Sequence, residues 1–552
     1  MRPRIARVRL LIVAAIAALA LSPGAAPTAL PIRQTDLEEW LTYLASDQLQ
    51  GRALYSTGLG LAAAYIEDHL RAWGATPAGD SGSYLQTVRV QGVRATSRST
   101  VTVTVGGRTR TFVDGDGVTF AKRQGANRRF TVDRVEFAAY GVDAPRAHHV
   151  DIGRKDVTAA AVVWLGNKGP KGLDGATYRT VLAGRRRYAV DQRHAAVGIG
   201  PEAPPVDTAA SEAAQGFFMT EDPVPEPLRA DFTTTERLDL ARAPTLAGSD
   251  AFFEFLFSAA PVRYDELRRR AEAQEPLPSF RLEGVTFTFN LDSDYQVVRT
   301  RLAQNVAAIV EGTDPQARGT YVAFGAHYDH VGYAEGERPP LFALSKPGGD
   351  ADRIWNGADD DGSGTVALLA LAKAFAEGPR PKRSLLFVWH TGEERGRYGS
   401  LFFADYPTVP LSSVAAQLNI DMIGRNRGDN PKESRTVYLV GSDRISSELH
   451  AVSRQANDAL PAPMTLSYEL NDPGDPEQLY FRSDHYSYAA KGIPVIFFTT
   501  GLHPDYHMNT DEVSRIEFDK MTRVTQLIYE TGWRLANLDH FPVRDNKGAR
   551  AK

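Results

Sequence analysis

Tyr321-Val-Ala-Phe-Gly-Ala-His327-Tyr-Asp329 is a short, apolar, β-rich run that ends in polar side chains. Similar apolar runs recur in the second half of the chain, at residues 384–389, 415–420, 436–440 and 494–499. Helical stretches separate these runs, and the clearest of them covers residues 365–375. Strands that alternate with helices are typical of a sheet that is covered by helices on both faces. The sequence therefore predicts an α/β fold with a mixed, mainly parallel central sheet flanked by helices.

Acidic and histidine side chains follow the ends of several of these runs. They are His327 and Asp329 after the first, Glu393 and Glu394 after the second, Asp421 after the third and His507 after the last. A further acidic loop, which contains Asp360, precedes the helix at 365–375. Each motif alone also fits a hydrogen-bonded strand end or a solvated turn. Because ligand sites in open α/β sheets lie at the carboxyl ends of strands, the motifs together predict a metal site.

The part of the chain before residue 285 has a different character. Thr35 and Glu38 have the spacing of a capping box ahead of an amphipathic helix, and a second helix is predicted at about 60–73. From residue 99 to about 137, short β-like runs such as Val101-Thr-Val-Thr-Val105 dominate. The simplest organisation is one α/β domain interrupted by a β-rich inserted domain. We predict its N-terminal part at 30–110, the inserted domain at 111–284 and the main α/β part at 285–552.

The first residues have the pattern of a secretory signal peptide. Arg2, Arg4, Arg7 and Arg9 precede an apolar run at 10–21, and the small residues Ser22-Pro23-Gly24 follow it. This run is shorter than the roughly 20 residues that a membrane span needs, although an uncleaved anchor is the alternative. We predict a signal peptide at 1–29, no stable membrane insertion after its cleavage, and a protein that is exported to the periplasm or secreted.

Several strings in this sequence resemble the di-zinc aminopeptidase family, metallopeptidase family 28, which also includes glutamate carboxypeptidases and glutaminyl cyclases. The matching strings are Gly325-Ala-His327-Tyr-Asp329, Asn356-Gly-Ala-Asp-Asp360-Asp361-Gly-Ser-Gly, Thr391-Gly-Glu393-Glu394, Asn419-Ile-Asp421-Met-Ile-Gly, Tyr506-His507, Ser483-Asp484-His485 and Leu49-Gln-Gly-Arg52. The resemblance covers about 35–95 and 285–540 and implies the zinc exopeptidase fold. A weaker resemblance, around Val135-Glu-Phe-Ala-Ala-Tyr-Gly141, is to an inserted protease-associated domain.

The resemblance to this family implies two zinc ions per chain. The implied ligands are His327 and Asp421 for one ion, Glu394 and His507 for the other, and Asp360 as the bridge between them. Zinc binds histidine nitrogen and carboxylate oxygen readily. A hydroxide that bridges the two ions is then the implied nucleophile, and Glu393 is the implied general base. The resemblance also places a non-proline cis peptide bond immediately before Asp361.

Three more side chains receive roles from the resemblance and from their positions. Asp329 is expected to orient His327 without itself binding a metal ion. Tyr506 is expected to stabilise the oxyanion of the tetrahedral intermediate, and Arg482 to hold a carbonyl or carboxylate group of the substrate. The histidines near the motifs that receive no ligand role are His330, His390 and His503.

The resemblance favours an aminopeptidase, which removes N-terminal residues from peptide substrates. A carboxypeptidase for acidic C-terminal residues and a glutaminyl cyclase are the enzymatic alternatives. A peptide-binding or receptor-like module on the same fold is the non-enzymatic alternative, which the presence of all implied ligands disfavours. The sequence has no Gly-x-Ser-x-Gly or His-Glu-x-x-His string, so a serine hydrolase and a single-zinc protease do not fit. The net charge of −4 gives no indication of nucleic-acid binding.

Overall fold

The computed structural model describes residues 32–173, 177–202, 229–335, 340, 342–344 and 352–545. The signal peptide predicted at residues 1–29 lies outside these residues. Within the described part of the chain, two sheets of ten strands each form the framework of the molecule, accompanied by two short two-stranded ladders. The ladders join Gly332–Tyr333 to Ile354–Trp355 and Asp143–Ala144 to His149–Val150.

The first sheet carries the strands that were predicted in the second half of the sequence. In spatial order its strands are Phe232–Thr234, Leu85–Ser97, Ser293–Val310, Ser384–His390, Tyr321–His327, Val414–Ile420, Val495–Thr499, Thr436–Val440 and Thr465–Ser467, with Thr76–Pro77 paired to Ser293–Val310. The four strands from Ser384–His390 to Val495–Thr499 are parallel to one another. Antiparallel pairs adjoin this parallel centre on both sides. The predicted α/β class with a mixed central sheet is confirmed.

Both faces of the first sheet are buried. Along the central strand, Val322 and Phe324 belong to one apolar core, and Ala323 belongs to another on the opposite face. The first core includes side chains of the helices Gln34–Leu44, Thr57–Ala72, Gly364–Glu377, Ser447–Asp458 and Phe518–Ala536. The second core includes side chains of Tyr398–Asp405 and His485–Ala489. Because neither face meets water, the strands are continuous apolar runs rather than alternating ones.

The second sheet is built from the β-rich part of the chain. In spatial order its strands are Ser279–Arg281, Val135–Ala138, Ala161–Val163, Val197–Pro201, Thr245–Gly248, Gly117–Phe120, Arg108–Asp114, Thr100–Val105, Val285–Leu291 and Arg128–Val132. This sheet therefore extends beyond both ends of the segment 111–284 that was predicted as the inserted domain. The predicted domain boundaries and the protease-associated character of the insertion stay predictions.

In the described part of the chain, four α-helical segments accompany the second sheet. They are Arg179–Ala183, Arg185–Arg187, Asp250–Leu256 and Tyr264–Glu272. Phe252 and Leu267 from the last two pack into the apolar core of this sheet. No helix among the described residues has the length and apolar character that crossing a membrane requires.

Candidate metal centre

The predicted site residues meet at the carboxyl edge of the four parallel strands. They are His327 at the end of Tyr321–His327, Glu393 and Glu394 after Ser384–His390, Asp421 directly after Val414–Ile420, and His507 in the loop after Val495–Thr499. Because adjacent parallel strands end at the same edge of a sheet, side chains that are distant in sequence converge there.

Asp360 lies between the two histidines of the site. It precedes the helix Gly364–Glu377, and the peptide bond between Asp360 and Asp361 is cis, as the resemblance implies. Its Oδ1 lies 3.3 Å from Nε2 of His327, and its Oδ2 lies 3.2 Å from Nε2 of His507. The carboxylate of Asp360 therefore spans the two halves of the site.

Each of the two histidines also faces a second carboxylate. Nε2 of His327 lies 3.7 Å from Oδ2 of Asp421, and Nε2 of His507 lies 3.0 Å from Oε2 of Glu394. The result is two histidine–carboxylate groups that share Asp360. The structure thus brings all five predicted ligands together.

Backbone carbonyl groups orient both histidine rings. Nδ1 of His327 lies 3.1 Å from the carbonyl oxygen of Asp329, and Nδ1 of His507 lies 3.2 Å from that of Phe342. Since a carbonyl oxygen can only accept, each Nδ1 carries the donated proton and each Nε2 is directed at the carboxylates. Nε2 of His507 is buried and has no hydrogen-bond partner among the described residues. A metal ion bound here would accept the lone pair of this nitrogen and the charges of the two carboxylates beside it.

Buried carboxyl groups are crowded around the two histidines. Burial raises the pKa of Asp361 and Glu393 well above their ordinary values and also raises the pKa of Asp421. Burial acts in the same direction on Glu394, but His507 and His330 outweigh it and lower the pKa of this carboxyl to about 2. A concentration of carboxylates with so few neighbouring cations favours the binding of metal ions.

The donor set fits zinc. Two imidazole nitrogens and three carboxylates are ligands that zinc accepts, whereas magnesium and calcium select oxygen ligands. The carboxylate of Asp360 and the orphaned Nε2 of His507 are donor atoms of the kind that bind metal ions.

Asp329 holds the loop of the predicted base. The sequence predicts that Asp329 orients His327, and in the structure the backbone carbonyl oxygen of Asp329 accepts a hydrogen bond from Nδ1 of His327 at 3.1 Å, whereas its carboxylate Oδ1 lies 3.8 Å from that nitrogen. The carboxylate Oδ1 accepts from the backbone N–H of Glu393 at 3.1 Å. Glu393 lines the cleft beside Asp360 and Glu394. Asp329 therefore positions the backbone of Glu393 with its side chain and His327 with its main chain.

Tyr506 and Arg482 line the same cleft as the centre. Nη2 of Arg482 donates to the Tyr506 hydroxyl at 3.0 Å, and the Tyr506 ring stacks on His507 with centroids 4.0 Å apart. Burial raises the pKa of Tyr506 to about 12, so the hydroxyl keeps its proton at neutral pH. The roles predicted for these two residues stay predictions.

His330 contacts the centre although the sequence gives it no ligand role. Its Nδ1 lies 2.9 Å from Oε1 of Glu394 and 4.0 Å from Oδ2 of Asp360, so these three residues could themselves hold an ion. His507 approaches Asp360 more closely, and we therefore attribute the ligand role to His507 and a hydrogen bond that fixes Glu394 to His330. The other two histidines without a predicted role, His390 and His503, contact Tyr488 and Asp359 instead.

Two further polar residues fix the ligands. The hydroxyl of Ser483 donates to Oδ2 of Asp421 at 2.7 Å. Asp511 accepts from the backbone N–H groups of Asp359 and Asp360 at 3.0 and 3.1 Å. Ser483 lies in one of the strings that resemble the family, so the sequence pointed to it. Asp511 lies 151 residues from Asp360, and no motif in the sequence pointed to its contact with that residue.

Arg52 supports the loops of the centre from the N-terminal part of the chain. Its side chain is buried, with 1% exposed. Its guanidinium group donates to the carbonyl oxygens of Tyr328, Asn356, Gly357 and Leu44. One side chain thereby joins the loop after His327 to the loop before Asp360.

We expect Arg52→Met to lower the free energy of unfolding by at least about 3 kcal/mol, because several buried carbonyl groups lose their donor at about 1–3 kcal/mol each. Urea unfolding of the two proteins measures this difference. Arg71→Met is the matched control, since Arg71 is 61% exposed and such surface changes stay within about 0.5 kcal/mol. A loss below about 1 kcal/mol for Arg52→Met would contradict the structural role of its hydrogen bonds.

His485 is a buried histidine near the centre that contacts none of the five ligands. Its Nε2 donates to the carbonyl oxygen of Tyr480 at 2.8 Å, and its ring stacks on Phe497. Its Nδ1 has no hydrogen-bond partner in the described part of the chain. Burial lowers the pKa of His485 to about 3, so the folded protein holds it neutral.

This histidine should make stability depend on pH between 6.5, its ordinary pKa, and about 3. In that window the unfolded chain binds a proton that the folded protein refuses, so stability falls with falling pH by up to about 1.4 kcal/mol per pH unit. Above the window the contribution is constant. Urea unfolding of the wild type and His485→Gln across this range should give a flatter profile for the variant. Parallel profiles would show that His485 titrates normally.

The fold and the centre together define an α/β protein with a buried histidine–carboxylate site suited to metal ions. The sequence profile of peptidase family M28 matches residues 305–532, the segment that contains all five predicted ligands and Glu393. Over that segment the match confirms the resemblance seen in the sequence.

Individual relatives match only part of this chain. Leucine aminopeptidase 1 of Trichophyton equinum is 26% identical over 243 residues, which cover 42% of this chain and 58% of that protein. A probable zinc metalloprotease of Pyrenophora tritici-repentis is 25% identical over 303 residues, covering 47% and 57%. The chain thus spans a little over half the length of these curated relatives. Among solved structures, an aminopeptidase from Aneurinibacillus sp. strain AM-1 aligns with a TM-score of 0.43 at 16% identity, over 93% of this chain and 96% of that one.

Proposed function

We propose that the protein is an exopeptidase that hydrolyses N-terminal residues from peptides with two zinc ions bound at this centre. The observation that carries the proposal is the position of Asp360 between His327 and His507, with a second carboxylate beside each histidine. A carboxylate shared by two such groups is what a two-metal hydrolytic site requires. The match of residues 305–532 to peptidase family M28 and the names of the two relatives support peptide hydrolysis.

The chain supplies an acid–base group in addition to the ligands. Bound zinc would polarise the scissile carbonyl group and allow a shared water to ionise near neutral pH. Glu393 lines the cleft without belonging to either histidine–carboxylate group, so its carboxylate can accept a proton from the attacking water and pass it to the leaving amine. The hydrogen bond from its backbone to Asp329 holds Glu393 in place for both transfers.

Tyr506 and Arg482 are suited to bind the substrate. The hydroxyl of Tyr506 keeps its proton and can donate to the negative oxygen that develops on the carbonyl group. Arg482 steadies that hydroxyl at 3.0 Å and can hold a substrate carbonyl group at the same time, since a guanidinium group has five N–H donors.

The rest of the cleft supports a preference for apolar N-terminal side chains. Its apolar lining residues are Met422, Leu479, Phe497 and Leu502. A pocket of this kind gains free energy from burying an apolar side chain and leaves a charged one without partners. We therefore expect leucine derivatives to be cleaved faster than the corresponding glutamate or lysine derivatives.

Aminoacyl p-nitroanilides test the proposed activity. We expect cleavage of leucine p-nitroanilide but not of its N-acetylated form, with loss of activity on chelation, recovery with zinc and two metal ions per chain. Equal cleavage of both compounds would contradict the requirement for a free amine. A protein that binds no metal would contradict the proposed centre itself.

Arg482 also favours a second candidate, a carboxypeptidase. A guanidinium group at a metal cleft can form a bidentate pair with the C-terminal carboxylate of a peptide. N-acetylated dipeptides with an acidic C-terminal residue distinguish the two candidates, because only the carboxypeptidase would hydrolyse them. Arg482→Ala should abolish that activity if it exists, whereas an aminopeptidase should retain part of its turnover.

We further propose that the enzyme acts after export to the periplasm or the medium. The basic and apolar pattern at residues 1–29 supports this proposal. Fractionation of producing cells, with N-terminal sequencing of the product, tests it, and intact protein in the cytoplasm would contradict it.

A further inference from the structure

A second cavity, of about 880 Å³, lies away from the metal centre. On one side it is lined by the helical turn that ends at Arg187, and on the other by the helices Tyr398–Asp405 and His485–Ala489. Among the described residues, none lines both this cavity and the cleft of the metal centre. Its volume falls within the roughly 300–1,000 Å³ of small-ligand sites.

The lining of this cavity is strongly basic. Eight arginine or lysine side chains face three carboxylates, which leaves a surplus of five positive charges. The carboxylates are already engaged, because Glu236 and Asp405 pair with lining cations and Asp191 accepts from the hydroxyl of Tyr486 at 2.6 Å. The cations that they use are Arg123, Arg242 and Lys491. The remaining basic groups keep most of the surplus charge.

Two of the remaining arginines lie against the same aromatic ring. Cζ of Arg187 is 5.7 Å and Cζ of Arg397 is 5.2 Å from the ring centroid of Tyr486, and Arg187 is also 4.1 Å from that of Phe481. Neither arginine forms an ion pair with a described carboxylate. Nε of Arg187 and Nη1 of Arg397 are buried and make no hydrogen bond to a described residue. The cavity therefore presents guanidinium donors that lack an acceptor.

Buried guanidinium donors without an acceptor cost free energy, and a ligand that supplies oxygen atoms removes that cost. Guanidinium groups bind phosphate and carboxylate groups through paired N–H donors. We propose that this cavity binds a small, multiply charged oxyanion, a phosphate or a polycarboxylate, between Arg187 and Arg397. The anion offsets part of the surplus charge and links the part of the chain that carries the second sheet to the part that carries the first.

Equilibrium dialysis of the full, metal-loaded protein against radiolabelled inorganic phosphate tests the site. We expect saturable binding of one phosphate per chain. Arg187→Met and Arg397→Met keep the length of the side chain but remove its charge and donors. Each variant should weaken binding at least about 10-fold, because a hydrogen bond to a charged group contributes about 1.5–3 kcal/mol. Arg187→Lys, which keeps the charge and loses the planar fork, is the second variant and should also bind more weakly.

Competition with citrate identifies the class of anion. Displacement of phosphate by citrate at concentrations below that of phosphate itself indicates a polycarboxylate site, and the reverse indicates a phosphate site. Both results support the proposal.

Two control variants show where the anion binds. Arg186→Met removes a neighbouring arginine that does not line the cavity, and it should leave the affinity unchanged. His507→Ala should also leave the affinity unchanged, because no described residue that lines the cavity also lines the cleft of the metal centre. Phosphate that bound to the metal ions instead would be lost in this variant. The proposal is overturned if the wild type shows no saturable binding, if folded Arg187 and Arg397 variants bind like the wild type, or if His507→Ala abolishes binding.

Discussion

Glu393→Ala is expected to lower kcat by about 10²- to 10⁴-fold, the usual contribution of a positioned general base, while the metal ions stay bound. The reason is that Glu393 lines the cleft but stands outside both histidine–carboxylate groups. Its removal leaves the five ligands and their hydrogen bonds intact, and it removes the carboxylate that can take a proton from the attacking water. Binding of the substrate should change much less than its turnover.

The measurement combines steady-state kinetics on leucine p-nitroanilide with metal content by elemental analysis. Glu393→Gln is the closer variant, because it keeps the shape of the side chain and should be as inactive as Glu393→Ala. Glu377→Ala, at the exposed end of Gly364–Glu377, is the matched control and should be fully active. Full activity in Glu393→Ala would show that another group accepts the proton, and loss of metal would show that Glu393 is a ligand.

Asp360→Ala is expected to lower kcat/KM at least about 10³-fold and to lower the metal content from two ions to one or none. Asp360 is the carboxylate that faces both His327 and His507, at 3.3 and 3.2 Å. Without it, the two metal ions would keep only one carboxylate each and would lose the group that screens them from one another. The Lewis acidity that a two-metal site supplies contributes several kcal/mol to the transition state, so its loss cannot be small.

Elemental analysis and kinetics at saturating zinc check this expectation. Asp68→Ala, on the exposed surface of Thr57–Ala72, is the control that removes a carboxylate far from the centre. An Asp360→Ala variant that retains two ions per chain and most of its activity would exclude a bridging role for Asp360. Circular dichroism distinguishes a specific loss of metal from unfolding.

The helix and strand positions near the centre could be predicted because local signals and burial agree there. The five strands predicted between residues 321 and 499 are present, since strands buried on both faces must be apolar along their whole length. The start of the first helix was predicted less well. Thr35 was expected to cap it, but the helix begins at Gln34 with Arg33 at the cap position and no capping side chain.

Contacts between residues distant in sequence could not be predicted. Arg52 bonds to Tyr328 across 276 residues, and Asp511 bonds to Asp360 across 151. The sequence also could not tell whether the side chain or the backbone of Asp329 would accept the hydrogen bond from His327. In the structure the backbone carbonyl group accepts it. The predicted extent of the inserted domain, 111–284, also missed a long-range contact. The strands Thr100–Val105 and Val285–Leu291, which lie outside that segment, pair with each other in the second sheet.

The sequence by itself determined the α/β class, the strands of the sheet and the identity of the acidic and histidine loops, because these depend on local apolar patterns and on residue types at strand ends. Only the tertiary structure decided that Asp360 lies between His327 and His507, that His330 contacts Glu394, and that arginines gather around a second cavity. The physical reason is that a strand's own residues fix its apolar pattern, whereas distances between side chains depend on how distant segments pack. A single sequence carries no direct record of that packing.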